Sequence, residues 1–325
     1  MGQEIIAVVG AGNTGASWAG LFAAYGHEVR RFDVREGAAA AALTRAAAAA
    51  RFLAARGLAE PGPAEAGIAR LSAPPTLAAA VAGTALVQEC VPDRVDLKRA
   101  VFADVSRAAP DETLIATSSS GLSITAIQQD ARLPGRTLAA HPYNPPHLVP
   151  LVELAPGELT DPAALERARD LYARVGKEPV VVNGDVPGYI ANRMSAALWR
   201  EAIELVRSGV ATVEDVDKAV RYGPGLRWAV MGPHLIYHLG GGPSGIRGHV
   251  SHLTATKEGM LRDLATWTTF PPDTADLLAD GLEAETGGKS LAQLEAERDE
   301  ALAAVVLALR GRRRQENGDG KENVV

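Results

Sequence analysis

Three polar residues set among apolar runs give this chain its chemistry: Ser120 in SSSGL, His141 in HPYNPP and Glu153 in LVEL. An imidazole with an unperturbed pKa of about 6.5 can take a proton near neutral pH. A carboxylate paired with it fixes the tautomer and stabilises the imidazolium. The set suits oxidation of an alcohol: His141 takes the hydroxyl proton, Glu153 orients His141, and Ser120 donates to the substrate oxygen. Glu153 lies inside an otherwise apolar strand, where an unpaired carboxylate would be costly, so a buried partner is expected. Singly, each residue admits a plainer role as a turn serine, a hydrogen-bonded loop histidine or a surface carboxylate.

The elements that must position these groups follow from the apolar pattern. Short runs at 5–9, 28–32, 69–72, 85–88, 113–116, 137–140, 148–154 and 179–182 alternate with helix-like stretches. That alternation predicts an α/β, Rossmann-type doubly wound and mostly parallel sheet up to about residue 184. Ligands of such folds bind beyond the carboxyl ends of the strands, which directs the loops after 113–116 and 137–140 at the ligand.

The first strand runs into Gly10-Ala11-Gly12-Asn13-Thr14-Gly15, and Asp33 closes the second. The three glycines suit a tight turn, approach of the backbone to a pyrophosphate, and close helix packing. The following helix, from about 14 to 25, presents its N-terminal amides to the phosphates. Asp33 would accept hydrogen bonds from the ribose hydroxyls and repel a 2′-phosphate, favouring NAD over NADP, while nearby Arg31 and Arg35 soften that preference. A nicotinamide supplies the hydride acceptor that an alcohol oxidation needs.

Beyond Val182 the pattern becomes all-helical. Asp185 and Pro187 signal a helix start, with helices expected at 189–206, 212–221, 231–239, 246–263 and 291–310. The expected organisation is a dinucleotide-binding domain over 1–184, a smaller helical substrate and dimerisation domain over 185–311, and a polar, disordered tail over 312–325. The alanine-rich stretch 38–56 reads as a helix too uniform to specify much packing, and the apolar 291–309 helix is consistent with a homodimer.

A net charge of −6 argues against nucleic acid or an anionic membrane surface as partner. The single cysteine, Cys90, excludes an internal disulfide; with no leader or membrane-spanning run read from the sequence, a cytoplasmic protein is expected. His234, His238, His249 and His252 have helical spacings but no accompanying acidic ligand or cysteine, so no metal is expected.

These motifs, together with QECVPDRVDLKRAVF (88–102) and DVPGYIANR (185–193), resemble the short-chain L-3-hydroxyacyl-CoA dehydrogenase superfamily over nearly the whole chain. The resemblance implies catalytic roles for Ser120, His141, Glu153 and Asn192, and cofactor contacts from the glycine loop, Asp33, Asp93, Lys98, Ser120 and Asn144. The family more often has glutamate where Asp93 stands. Asn192 is expected more than one turn into its helix, beyond a capping position.

Segments such as HPYNPPHLVPLVEL and GPGLRWAVMGP are most similar to the branch acting on free small hydroxy acids, L-carnitine-like or L-gulonate-like. A free acid needs its carboxylate recognised: Arg227 either clamps it or is a surface arginine, and Trp228 is assigned to the substrate beside it. A quaternary ammonium would need aromatic faces, for which Tyr143, Tyr189, Trp228 and Tyr237 serve either as contributors or as packing. The alternative, a 3-hydroxyacyl-CoA dehydrogenase, would draw on Arg45, Arg51 and Arg56 as a phosphate-binding surface. A non-catalytic NAD-binding structural role is argued against by the presence of all four catalytic residue types.

Overall fold

A computed structural model describes residues 3–184 and 186–319; the helix-start signal at Asp185 and the tail positions 320–325 lie outside the described residues. Eight strands, β1 (Ile5–Val9), β2 (Glu28–Phe32), β3 (Leu71–Ser72), β4 (Leu86–Glu89), β5 (Leu114–Thr117), β6 (Thr137–Pro142), β7 (Leu151–Pro156) and β8 (Glu178–Val181), form one sheet in the order β3-β2-β1-β4-β5-β6-β7-β8. All neighbours run parallel except β6 and β7, which are antiparallel.

Strand periodicity sends alternate side chains to opposite faces, and both faces are covered. The helices of this half are α1 (Asn13–Ala24), α2 (Ala38–Ala55), α3 (Pro61–Ile68), α4 (Leu77–Val81), α5 (Val95–Ala108), α6 (Ile124–Ile127) and α7 (Pro162–Arg174). Ile6 and Val8 of β1 pack with Trp18, Phe22, Leu53 and Tyr172, whereas Ala7 and Val9 pack with Phe102, Val105, Ile124 and Ile127.

The alanine-rich α2 specifies more packing than its composition suggests. Ala42, Ala46, Ala50 and Leu53 form a buried stripe at helical spacing, and a Cβ on Gly20 of α1 would lie only 2.6 Å from that of Ala49. Small side chains on both helices therefore let the backbones approach. With a mean hydropathy of 1.2, α2 is long and apolar enough to cross a membrane by length and composition alone, but its buried stripe is part of the sheet-covering layer.

Seven further helices follow: α8 (Ala191–Arg207), α9 (Val213–Tyr222), α10 (Pro224–Val230), α11 (Pro233–Leu239), α12 (Gly245–Asp263), α13 (Thr274–Thr286) and α14 (Leu291–Asp319). The chain divides into two compact units, one comprising residues up to Arg193 together with those from Arg298 on, the other Met194–Glu297. This division lies beyond the expected boundary at 184 and returns α14 to the first unit. There Ala303 and Val306 join the core around Trp18 and Tyr172, Arg56 Nε donates to Glu300 Oε2 at 2.6 Å, and Arg310 Nη1 donates to the Leu58 carbonyl at 2.8 Å. Helical backbone continues through Asp319, so part of the segment expected as disordered extends α14.

Within the second unit, α9 starts at Thr212, whose hydroxyl accepts from Asp215 N at 3.1 Å, with Glu214 and Asp215 in its first turn to meet the helix dipole. Gly281 of α13 lets that helix close on α9, since a Cβ there would lie 2.2 Å from Val213. The Gly-Pro-Gly stretch at 223–225 reads as a breaker in sequence, but Pro224 is the first residue of α10, where proline costs no hydrogen bond.

Candidate active site

Gly10 leaves β1 at φ +111°, and a Cβ there would stand 2.6 Å from the Cys90 carbonyl oxygen. Only glycine fits such a turn. At the end of β2, Asp33 Oδ2 accepts from Ala11 N at 2.7 Å while Oδ1 accepts from Arg35 N at 2.9 Å and Arg35 Nε at 3.0 Å. Partial burial opposes ionisation of Asp33, but these hydrogen bonds outweigh it and hold the carboxyl below its ordinary value. A cavity of about 970 Å³ opens here.

Of the sequence-assigned cofactor positions, Gly10, Ala11, Gly12, Thr14, Asp33 and Asp93 line this cavity, as do Lys98, Ser120 and Asn144. Asn13 opens α1 as an exposed residue, and Gly15 is buried beneath the loop; neither lines the cavity. The donor set fits a dinucleotide: loop amides at the N-terminus of α1 for the diphosphate and Asp33 for a ribose.

His141 also lines the cavity. It stands within β6, not in the loop after it, because antiparallel pairing with β7 carries the strand to Pro142 and places His141 directly opposite Glu153. Nδ1 of His141 and Oε2 of Glu153 are 2.8 Å apart. The carboxylate accepts at Nδ1, so the proton belongs there and Nε2 is the basic nitrogen. The other carboxylate oxygen, Oε1, accepts from Ile190 N at 2.8 Å and Ala191 N at 2.9 Å, at the start of α8. Burial works against the charge on Glu153, yet hydrogen bonds from His141, Ala191 and Ile190 prevail and keep its carboxyl below the usual range. The Tyr189 ring, 5.4 Å from that of His141, covers the pair.

Asn192 is the second residue of α8 and half-buried; the helix starts later than its sequence signal because Gly188 at φ +77° and Tyr189 at φ +46° form a turn ahead of it. It is therefore in the first turn, next to Ala191, whose N–H meets Glu153. Ser120 Oγ lies 3.4 Å from Asp93 Oδ2.

A second buried carboxylate went unread in the sequence. Glu89 ends β4, fully buried, and receives Lys98 Nζ at 2.8 and 3.0 Å on its two oxygens and Thr117 Oγ1 at 2.6 Å. Lys98 Nζ also donates to the Val91 carbonyl at 2.9 Å and lies 3.3 Å from Asp93. The argument that an acid in an apolar strand needs a partner, made for Glu153, applies equally to Glu89 in LVQE and could have found it. Also unread were Ser17 and Lys177, which anchor the loop bearing Asn144. Ser17 Oγ lies 2.7 Å from His147 Nδ1, and Lys177 Nζ donates to the Pro146 and Val149 carbonyls at 2.7 Å each.

The three arginines considered for a coenzyme A surface are each engaged within the first unit: Arg45 with the Ala11 carbonyl at 3.0 Å, Arg51 with Glu65 at 3.6 Å, and Arg56 with Glu300. In the second unit Arg227 is exposed and Trp228 half-buried on α10. There His238 Nδ1 accepts from Ile246 N at 3.2 Å, and the His249 ring packs on Tyr237 at 5.0 Å. Lys257 already occupies a face of Tyr237, 5.4 Å from the ring centroid.

A nucleotide cavity at the strand ends, with a histidine on its wall backed by a buried glutamate, defines a nicotinamide-dependent dehydrogenase of alcohols. The chain matches the profile of the 3-hydroxyacyl-CoA dehydrogenase NAD-binding domain over residues 5–186 and that of the family's C-terminal domain over 188–274. It belongs to the 3-hydroxyacyl-CoA dehydrogenase family, whose members use NAD to act on a CH–OH group.

Its relatives include L-carnitine dehydrogenase of Streptomyces griseus, 41% identical over 93% of this chain and 89% of that protein. L-carnitine dehydrogenase of Pseudomonas aeruginosa is 40% identical over 94% of each chain. Among solved structures, the chain is similar to 5-formyl-3-hydroxy-2-methylpyridine 4-carboxylic acid 5-dehydrogenase, an NAD+-dependent dismutase. That likeness has a TM-score of 0.81 and 30% identity, over 95% of this chain and 99% of that one.

Proposed function

We propose that the protein oxidises the 3-hydroxyl of a small free hydroxy acid, L-carnitine-like in character, to the 3-keto acid. The observation that carries this reading is His141 on the wall of the nucleotide cavity with the buried Glu153 behind it. NAD, when bound, accepts the hydride. His141 Nε2 takes the hydroxyl proton, and the charge that develops on the imidazole is balanced by Glu153, which its amide donors keep ionised. Ser120 and Asn192 hold the reacting oxygen, and Asp93, Lys98 and Asn144 serve the cofactor.

The substrate carboxylate is assigned to Arg227 and its apolar flank to Trp228, within a substrate-binding helical domain. A free acid is favoured over a coenzyme A ester because Arg45, Arg51 and Arg56 already have partners. The similarity to proteins named L-carnitine dehydrogenase favours a quaternary ammonium acid over an L-gulonate-like one. The enzyme is assigned to the cytoplasm, where NAD is held and a free thiol such as Cys90 stays reduced. A homodimer is supported by exposed Trp199, Leu235, Leu239, Val250, Met260 and Leu261 on the second unit.

The test is NADH formation with L-carnitine, L-gulonate, L-3-hydroxybutyrate and 3-hydroxybutyryl-CoA, each with NAD and with NADP. Turnover of L-carnitine with NAD is expected. Turnover of the CoA ester alone would overturn the free-acid reading.

A further inference from the structure

Behind the glycine loop stands a cation that neither strand pattern nor motif calls for. Arg31 of β2 is fully buried, with Nη2 donating to the Gly10 carbonyl at 2.9 Å and Nη1 to the Ala42 carbonyl at 2.9 Å. Its Nε has no hydrogen-bond partner. No carboxylate forms an ion pair with it among the described residues, and the nearby Asp33 is committed to Ala11 and Arg35. Burial pushes the Arg31 guanidinium down to about 10, which leaves it charged at neutral pH. A buried charge hydrogen-bonded only to carbonyls, with Asp33 acting on it at a distance, is an expensive arrangement.

The loop has been shaped around this charge. A Cβ on Gly15 would stand 2.5 Å from the Gly10 carbonyl oxygen and 3.2 Å from Arg31 Nη2, so the third glycine makes room for that carbonyl and the guanidinium bound to it. Arg45, from α2, donates to the next carbonyl, that of Ala11, at 3.0 Å. In a trans peptide the carbonyl and the following N–H point in opposite directions. With the Gly10 carbonyl turned to Arg31, the N–H of Ala11 faces Asp33, as its 2.7 Å bond to that carboxylate records. With the Ala11 carbonyl turned to Arg45, the N–H of Gly12 faces away from α2.

We propose that Arg31 and Arg45 are diphosphate-binding devices of the second rank: they fix the peptide planes of the glycine loop and set a buried positive charge behind it that the cofactor's diphosphate balances. This rests on NAD binding and concerns affinity for the phosphates, not the hydride step. It weighs on the diphosphate more than on the adenosine, because Asp33, which serves the ribose, makes no hydrogen bond to either arginine and is reached only through the Ala11 N–H.

The test compares binding of NADH, ADP and adenosine, by fluorescence and calorimetry, to the wild type, Arg31→Met, Arg31→Lys and Arg45→Gln, with thermal midpoints recorded alongside. Arg31→Met is expected to weaken ADP and NADH roughly tenfold and adenosine by much less. Arg31→Lys should recover part of the ADP affinity by restoring charge without the fork, and Arg45→Gln should weaken ADP about threefold. An Arg31→Met protein with a lower midpoint and unchanged ADP affinity would overturn the proposal, leaving Arg31 a structural residue. So would an equal loss of adenosine and ADP. If Arg31→Met does not fold, the ratio of ADP to adenosine affinity in Arg45→Gln decides, and an unchanged ratio refutes the device.

Discussion

Two buried glutamates end up beside the same cavity, one on each side of β5 and β6, and they behave in opposite ways. Glu153 meets a histidine and two backbone amides, and its carboxyl is held below the ordinary range. Glu89 meets a lysine, a threonine and the Val91 amide, and there desolvation prevails and pushes its carboxyl up despite them. Under the proposed mechanism, fixed dipoles keep the carboxylate behind the base charged, while Glu89 shares its charge with Lys98, which also reaches Asp93 and the Val91 carbonyl. The same residue type would then serve proton chemistry in one place and architecture in the other.

That contrast is most severely tested at His141. His141→Ala should lower kcat by about a thousandfold or more, with NADH affinity retained in a fluorescence titration. Unchanged turnover would remove His141 as the base. Glu153→Gln keeps the shape but not the charge, and should cost roughly a hundredfold or more in kcat. It should also flatten the acid limb of stability. The folded Glu153 pKa is depressed, so its contribution is present above the unfolded value and is lost as pH falls through the folded one. Urea midpoints at pH 3, 4 and 7 would show it.

Glu89→Gln should act on stability first, by about 3–5 kcal/mol in urea unfolding, because it strands Lys98. The paired change Glu89→Leu with Lys98→Met should be markedly milder than the single one. A larger loss of kcat than in Glu153→Gln would erase the distinction between the two carboxylates. The smallest effect is expected at His147, which burial pushes down to about 4. Between about 4 and 6.5 the unfolded chain binds a proton that the folded one refuses, so stability falls as pH drops through that window. His147→Gln should narrow the gap between the urea midpoints at pH 7 and pH 5.

The sheet and its ligand edge were legible because strand signals are local: every apolar run read from the sequence coincides with a strand, the weakest being the two-residue β3. The glycine loop was legible for the same reason, since Gly10 and Gly15 are demanded by contacts that no other residue survives. The start of α8 was not, because the turn at Gly188 and Tyr189 depends on where Glu153 collects the amides of Ile190 and Ala191, a contact across the fold. Helix α13 was missed where the preceding pair Pro271 and Pro272 read as a breaker. Proline opens a helix as readily as it ends one. Glu89 and Lys177 escaped, and Arg31 was read as a modifier of cofactor preference instead of a buried cation, because a buried charge is recognisable only by the partner that keeps it there.

The return of α14 has a consequence for how the protein is made. Chains leave the ribosome in order, and domains usually fold as they emerge. Here the first unit cannot do so completely, because Ala303 and Val306, which cover Trp18 and Tyr172, are synthesised only after the whole of the second unit. Until then the cluster around Trp18 and Tyr172 lacks two of the side chains that complete it, and the first unit is finished only once the intervening helices have been translated.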